Sequence, residues 1–327
     1  MFRACFSHEA RFRQVIDKQL KLTSILKFIC TKNEISAVSY SPSRGIAHLQ
    51  FPSECLKDYV HPAEKGKGNE VVQFIVETSE LSEKMTDSKE NLNNSIVLTL
   101  ENIEKTKELR LDFINENGEK TIPSKTVTLL DGAPKYSTST MMTTMFDLPD
   151  LSEASTLTTD SEELKRIFMS ESVLSNHVEI TMTKKKVVFA IVKTGAGYGE
   201  YIAYHNDVSC VGNTDDNNSD DDEAKQKEYS EDDIYQQCPK YLAGKNIIDF
   251  KEQKKENGEG EGGQRQESIK QCFKLTTLAL CEKPTTYSNR VVMGMTPNKS
   301  IFIRYKIFNS GFATYYINPS ELKNLTS

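Results

Sequence analysis

The chain has 327 residues, of which 37% are hydrophobic and 27% are charged, and its net charge is −6. This length allows two domains with a sizeable core, and the composition is typical of a soluble globular protein. No apolar run approaches the length of a membrane span, and the opening residues MFRACFSHEARFRQ lack the apolar stretch of a signal peptide, so neither is expected.

The first half of the chain begins with an amphipathic helix over 9–22, whose apolar stripe is Phe12, Val15, Ile16 and Leu20. Alternation of apolar and polar residues then predicts a series of strands interrupted by one weaker helix. In chain order these are strands 35–41, 45–51 and 71–77, helix 79–90, and strands 95–101, 108–114 and 125–130.

The second half repeats this order. A strand over 141–149 precedes a helix over 161–170, which Asp160 and Glu163 introduce with a capping-box spacing. The remaining predicted elements are strands 178–184, 186–192 and 200–205, a helix over 269–284 that Pro284 stops, strand 290–296, and a final hairpin of strands 301–307 and 312–317 around Asn309–Gly311.

These elements predict an α+β fold of two similar domains, each an antiparallel sheet with helices on one face. The domains are expected at 1–131 and 138–327, with 132–137 as the end of the connector between them. Residues 213–233 hold ten acidic residues and two lysines, and residues 251–268 are a second low-complexity patch. Both are typical of solvated loops, so an acidic insertion is expected at about 213–268.

The sequence offers little that points to catalysis. Seven scattered cysteines without a Cys-x-x-Cys pair are typical of reduced, mostly buried thiols, and the five histidines lack ligand spacing, so neither a metal nor a cofactor is expected. The stretch GAGYGE at 195–200 has the wrong spacing for a dinucleotide loop and is followed by a strand, which favours a turn. We therefore do not expect an enzyme.

Basic residues on the predicted helices suggest a partner. One such helix would be an ordinary solvated surface, but cations lie off the apolar stripe on all four, which favours sequence-independent contact with a polyanion. The residues predicted to face it, which the resemblance described next makes DNA-facing, are Arg11, Arg13, Lys18, Lys21, Lys84, Lys89, Lys165, Arg166, Lys270 and Lys274.

Several segments resemble the sliding clamp family of proliferating cell nuclear antigen. The opening Met1-Phe2 with Ala4 followed by a helix, SYSPSRGIAHLQF at 39–51 and ETSELSEKM at 77–85 are similar to parts of that family. The most distinctive segment is IFIRYKIFNSGFATYYINP at 301–319, which resembles the final hairpin of the family.

The resemblance implies a nuclear DNA sliding clamp that catalyses nothing. Three copies would form a head-to-tail ring around duplex DNA, with helices lining the hole, and would tether DNA polymerase, the clamp loader and peptide-motif partners for replication and repair. It places the subunit interface on two sheet edges, at Thr121, Lys125 and Val127 and at Tyr201 and Ala203.

The resemblance also implies a pocket for partner peptides. Its walls would be Arg44 and Ile46, the connector residues Leu129, Leu130 and Pro134, and Tyr316 and Pro319 near the end of the chain. Alternatively, Tyr316 packs beneath the connector and meets no partner. The connector after Leu130 is shorter than is usual in the family, and Ser300 stands where a proline is common, so the preferred peptide stays open.

Two other functions fit the same residues. The chain could be one subunit of the related heterotrimeric DNA-damage checkpoint clamp, in which case it would not close a ring with copies of itself. It could also be an enzyme built on a similar body, which turnover assays would reveal.

Overall fold

The computed structural model describes most of the chain in segments. They are residues 1–19, 23–41, 45–61, 71–86, 94–102, 105–130, 135–137, 151, 154–172, 177–193, 197–205, 246–251, 253–254, 265–266, 268–281, 288–295 and 300–320. The predicted strand at 141–149 and the acidic residues 213–233 lie outside them.

The elements before residue 138 are ten strands and two helices. The strands are β1 (Phe2–Phe6), β2 (Ile25–Cys30), β3 (Glu34–Ser41), β4 (Gly45–Pro52), β5 (Asp58–Val60), β6 (Val71–Glu77), β7 (Ser95–Leu100), β8 (Glu108–Ile114), β9 (Lys125–Thr128) and β10 (Lys135–Ser137). The helices are α1 (Glu9–Gln19) and α2 (Thr78–Thr86).

The later elements described are eleven strands and two helices. The strands are β11 (Ser155–Asp160), β12 (His177–Thr183), β13 (Lys186–Lys193), β14 (Gly197–His205), β15 (Ile247–Asp249), β16 (Gln253–Lys254), β17 (Arg265–Gln266), β18 (Ser268–Lys274), β19 (Arg290–Met295), β20 (Ile301–Ile307) and β21 (Gly311–Ile317). The helices are α3 (Ser161–Ser172) and α4 (Leu275–Leu278), which a 3₁₀ turn continues.

The strands form three large sheets, and every described strand pair is antiparallel. The first sheet has the order β5-β1-β7-β8-β9, and the third has the order β14-β13-β12-β18. The central sheet runs β10-β6-β2-β3-β4-β21-β20-β19-β11-β15. The α+β class is thereby confirmed.

The central sheet joins the early and late parts of the chain. Strand β4 pairs with β21 in a register that places Tyr316 opposite Ile46 and Thr314 opposite His48. Five early strands and five late strands therefore share one sheet.

Each of the three longer helices buries one stripe in a single hydrophobic core that takes residues from all three sheets. The helical spacing of apolar residues explains these helices, since residues three and four apart share a face. The buried stripe residues include Phe12, Val15 and Ile16 on α1, Leu81 and Met85 on α2, and Leu164, Ile167 and Phe168 on α3.

The hydrogen bonds at the start of α3 confirm Asp160 as its cap. The Asp160 carboxylate accepts bonds from the backbone N–H groups of Glu162, at 2.8 Å, and Glu163, at 3.4 Å. These bonds satisfy donors that the first turn of a helix leaves unpaired.

The helix predicted over 269–284 is wrong. Residues 268–274 form strand β18, which pairs with β12, and of the described residues in this range only Leu275–Leu278 are α-helical. The prediction failed because Ile269, Cys272 and Phe273 also recur at helical spacing, and pairing with β12 decides between the two structures.

Candidate functional site

Helices α1 and α2 carry predicted DNA-facing residues and are linked to each other. Ser82 Oγ on α2 donates a hydrogen bond to the Asp17 carboxylate on α1. Arg13 Nε lies 3.6 Å from the same carboxylate, one turn along α1. Arg11 is exposed and Lys84 is half-buried. These cations therefore lie off the buried stripes, and Arg13 already has an acidic neighbour.

Helix α3 presents its two predicted cations beside acids. Lys165 Nζ lies 3.1 Å from the Glu162 carboxylate, and Arg166 is exposed. Helix α1 contains three basic and two acidic residues, α2 contains one basic and two acidic residues, and α3 contains two basic and three acidic residues. The helix surfaces are thus mixed in charge, so any contact with phosphate rests on individual side chains.

Two of the predicted cations are not on a helix. Lys270 and Lys274 lie on β18, and Lys270 Nζ is 2.8 Å from the carboxylate of Glu179 on the neighbouring strand β12. This corrects their placement, since they belong to a sheet. Lys18 lies on α1, whereas its side chain and the residues Lys21 and Lys89 fall outside what the structure describes.

The final hairpin buries both of its neighbouring tyrosines, on opposite faces of the central sheet. Tyr315 packs in the main core. Tyr316, which is 4% exposed, packs on the other face with Phe302, Val292 and Ala154. A second, smaller apolar cluster therefore lies on this outer face.

The outer cluster contains part of the predicted peptide pocket. Ile46 is half-buried against Tyr316, and Pro319 is exposed near the end of the hairpin. Leu130 is 48% exposed and its N–H bonds to the Ile75 carbonyl of β6, whereas the side chain of Leu129 packs in the main core. The structure thus brings Ile46 and Tyr316 together, while Leu129 faces elsewhere; Arg44 and Pro134 lie outside the described residues.

A buried polar chain that sequence reasoning missed lies beside this cluster. His48 Nε2 is 3.1 Å from Ser36 Oγ, and that hydroxyl donates to the Glu34 carboxylate, also at 3.1 Å. Burial lowers the pKa of His48 to about 3, and the nearby Arg304 charge adds to this shift, so the imidazole is neutral. The alternation of β4, which points His48 to the same face as Ile46, was the available signal.

Arg304 extends the polar chain into the hairpin. Its Nε donates to Thr314 Oγ1 at 3.1 Å, and Thr314 lies opposite His48 across the β4–β21 pair. The guanidinium carbon also lies 5.8 Å from the ring centre of Phe302 and 5.4 Å from that of Phe312. The pair of strands that joins the two parts of the chain is therefore fixed by polar contacts on one face and by the core on the other.

Four of the five predicted interface residues lie on the outermost described strands of the first and third sheets. Lys125 and Val127 belong to β9, and Tyr201 and Ala203 belong to β14. Thr121, which precedes β9, donates its N–H to the Phe113 carbonyl. The Val127 side chain is buried in the core, so only the backbone of that residue could contribute to an edge contact.

Glu80 of α2 contacts the end of edge strand β9 at Thr128. Its carboxylate accepts a hydrogen bond of 3.1 Å from the backbone N–H of Thr128. In the third sheet, β14 is the outermost described strand and pairs with β13. Both edges could pair with a further strand, although Glu80 limits pairing at Thr128.

Other classes of site find little support among the described residues. The cysteines there, Cys5, Cys30, Cys55, Cys272 and Cys281, are all free thiols. Within the same segments, no three His, Cys, Asp or Glu side chains gather as metal ligands would, and none of the helices has the length and apolarity to cross a membrane. Comparison with models of protein families gives no match for the chain, and comparison with curated proteins gives none either.

Proposed function

We propose that the chain is one subunit of a homotrimeric DNA sliding clamp that encircles duplex DNA in the nucleus and tethers DNA polymerase and other replication and repair proteins. The proposal starts from the resemblance of the final hairpin and three shorter segments to that family. The observation that carries it further is the order of strands in the three sheets.

The central sheet supplies a template for contact between copies. It contains the run β6-β2-β3-β4 followed by β21-β20-β19-β11-β15. The third sheet, β18-β12-β13-β14, repeats the first run, and the first sheet, β9-β8-β7-β1-β5, repeats the second. Strand β14 of one copy and β9 of the next could therefore pair as β4 and β21 do within one chain. Such a head-to-tail contact closes into a ring when the rotation between copies is right.

The internal junction also predicts a register. The first residue of α1 donates its N–H to the Asn94 carbonyl and the first residue of α3 donates its N–H to the Asn289 carbonyl, which matches β7 with β19 and, through the paired strands, Ser124 with Thr314. The equivalent turns at Thr31 and Thr183 match Tyr201 with His48 in the same way. Because Thr314 lies opposite His48, Ser124 of one copy should lie opposite Tyr201 of the next.

A closed ring fits the mixed charge of the helices. Topological closure retains DNA without strong contacts, so cations such as Arg11 and Arg166 would only need to meet phosphates weakly, and the ring could slide. Each phosphate contact that is lost should reduce the slope of log affinity against log salt by about 0.9. Partner proteins would dock an apolar peptide plug beside Ile46 and Tyr316.

Paired cysteines test the ring directly. The variant with Ser124→Cys and Tyr201→Cys should form disulfides between chains and run as a covalent trimer without reductant, because the two positions face each other at the interface. Either single variant is the matched control and should stay monomeric on the same gel. Light scattering of the unmodified protein should give three times the mass of one chain.

DNA topology provides the second test. A trimer cross-linked around a circular plasmid should remain bound in high salt, and cutting the plasmid should release it. A chain that remains monomeric at all concentrations would contradict the homotrimer and favour the checkpoint-clamp alternative. A trimer that leaves circular and linear DNA equally fast would contradict encirclement.

A further inference from the structure

An exposed cluster of three lysines lies at the turn between β12 and β13. We call Lys184, Lys185 and Lys186 the tri-lysine tip. All three side chains are exposed. Within the described segments, no acidic side chain forms an ion pair with any of them. Three adjacent unpaired cations repel one another, so the tip favours an anionic partner.

The fold does not require these charges. Thr183 sets the turn, because its Oγ1 accepts bonds from the N–H groups of Lys185 and Lys186, at 3.3 and 3.1 Å, and donates to the Lys186 carbonyl at 2.9 Å. The turn between β2 and β3 has the same three bonds, made by Thr31 to the backbone of Asn33 and Glu34. Since that turn forms with Lys-Asn-Glu, the lysines of the tip need another explanation.

The strands that pair with β13 and β12, namely β14 and β18, connect to the acidic part of the chain. Lys186 lies opposite His205, the last residue of β14. Thr183 lies opposite Ser268, the first residue of β18. The chain between those two strands, residues 206–267, therefore both leaves and rejoins the third sheet beside the tri-lysine tip.

The charge of that intervening chain is complementary to the tip. We call residues 213–233 the acidic segment; it holds ten Asp and Glu residues and two lysines. It starts eight residues after His205, a stretch that reaches at most about 28 Å when extended. A short tether keeps the local concentration of carboxylates near the tip in the millimolar range or above, whatever the concentration of the protein.

We propose that the tri-lysine tip is the docking site of the acidic segment of the same chain. The contact consists of several exposed ion pairs, each weak alone, and salt should therefore disrupt it. While it is formed, the tip is unavailable to other polyanions, including DNA. The inference does not depend on ring formation, because both partners belong to one chain.

Zero-length carbodiimide cross-linking tests the contact. It should join Lys184, Lys185 or Lys186 to carboxylates of residues 213–233 at low ionic strength, and the products should disappear in 0.5 M salt, where the Debye length is only about 4 Å. Lys32, the exposed lysine of the matching turn, is the internal control and should give no such products. Mixing isotope-labelled and unlabelled chains separates links within a chain from links between chains.

Lysine acylation rates give an independent measurement. Without salt, the tri-lysine tip should react more slowly than Lys32, and replacing the ten acidic residues by Asn and Gln should remove the difference. Equal rates in the unmodified protein, together with an absence of cross-links, would overturn the proposal. Links found only between chains would also overturn it. A third result would overturn the proposal as well. If replacing the three lysines by Gln weakens DNA binding by the same factor in the unmodified protein and in the variant without the ten acidic residues, the tip binds DNA and not the acidic segment.

Discussion

The turns that join β2 to β3 and β12 to β13 share their backbone hydrogen bonds but differ in charge. Both begin with a threonine whose hydroxyl bonds to the backbone two and three residues later. One continues Lys-Asn-Glu and the other Lys-Lys-Lys. The two turns thus have the same local structure, and their difference in sequence shows that this structure does not require the three lysines.

The edges of the sheets show a second such difference. Strand β4 pairs with β21 within the chain, whereas the strands at matching places in the other sheets, β14 and β9, are terminal among the described strands. Proline substitutions should therefore change the fold on β21 and assembly on β9.

The largest effect is expected at the internal junction. Thr314 is fully buried on β21 between β4 and β20, so Thr314→Pro removes a backbone donor from a central strand and should destabilise the fold by about 3 kcal/mol or more. Denaturant unfolding measures this. Thr314→Val is the control, because it keeps the shape and loses only the bond from Arg304. A proline variant as stable as the valine variant would contradict the described pairing.

The same change at the open edge should act on assembly alone. Leu129 N–H donates to the Lys107 carbonyl of the preceding segment, so by alternation the N–H of Thr126 points away from β8. Thr126→Pro should therefore leave the fold intact, as edge prolines do, and yield monomers by light scattering. Thr126→Ala should remain trimeric. A proline variant that is still trimeric would contradict the proposed contact between β14 and β9.

Acid should weaken the internal junction through His48. Its pKa is about 3 in the fold and about 6.5 when unfolded, so the unfolded chain binds more protons between these values and stability falls as the pH falls below 6.5. The loss attributable to this group is about 2 kcal/mol at pH 5. His48→Gln keeps a donor toward Ser36 and cannot be protonated in this range. Its unfolding free energy should change less between pH 7 and pH 5, and an unchanged pH slope would contradict the buried neutral imidazole.

The first residues of α1 and α3 form another matched pair. Ser161 donates its hydroxyl to the Ser288 carbonyl at 2.6 Å, whereas Glu9 is buried with no hydrogen bond to its Oε2 in the described structure. Burial raises the pKa of Glu9 to about 7, although the charges of Arg13 and Lys125 oppose this shift. The folded state therefore loses stability as the pH rises from about 4.5 to 7.

Replacing Glu9 should accordingly stabilise the protein at high pH. Glu9→Gln should raise the free energy of unfolding at pH 8 by on the order of 1 to 2 kcal/mol and change it little at pH 4. Thermal unfolding at the two pH values measures the difference, with Glu83→Gln at an exposed carboxylate of α2 as a control for charge. Equal stabilisation at both pH values would mean that Glu9 is not titrating.

The smallest effect should be seen at the two turns. Thr31→Ala and Thr183→Ala each remove the same hydroxyl bonds and should cost similar amounts, about 0.5 to 1.5 kcal/mol. Chemical denaturation of the two variants measures both costs. A clear excess at Thr183 would indicate that lysine repulsion also strains the second turn, whereas Thr183→Ser should restore most of the loss.

The sequence pattern predicted helices and strands well where only one face of the element is buried. The strands at 71–77 and 108–114 have the predicted bounds, and α1 begins at the predicted residue, because alternation or helical spacing there has a single interpretation. The region 269–274 satisfied both spacings, so the prediction of a helix was wrong. Strand β2 was missed, since it follows directly after the end of the predicted helix.

The candidate site was less predictable because it depends on contacts between distant residues. The pattern of β21 showed an aromatic on each face, but it could not show that Tyr316 meets Phe302 and Ala154. Likewise, the charge of Lys270 was visible in the sequence, whereas its ion pair with Glu179 requires the register of β12 and β18.

The pairing of β4 with β21 also affects how the chain can be made. Strand β4 ends at residue 52 and its partner ends at residue 317, so a ribosome exposes the edge of β4 on the order of tens of seconds before β21 emerges. During that time the edge could capture β21 from a chain that is already complete. Folding in the cell therefore competes with domain swapping, and slower translation of the second half, or a lack of chaperones, should increase swapped and aggregated species.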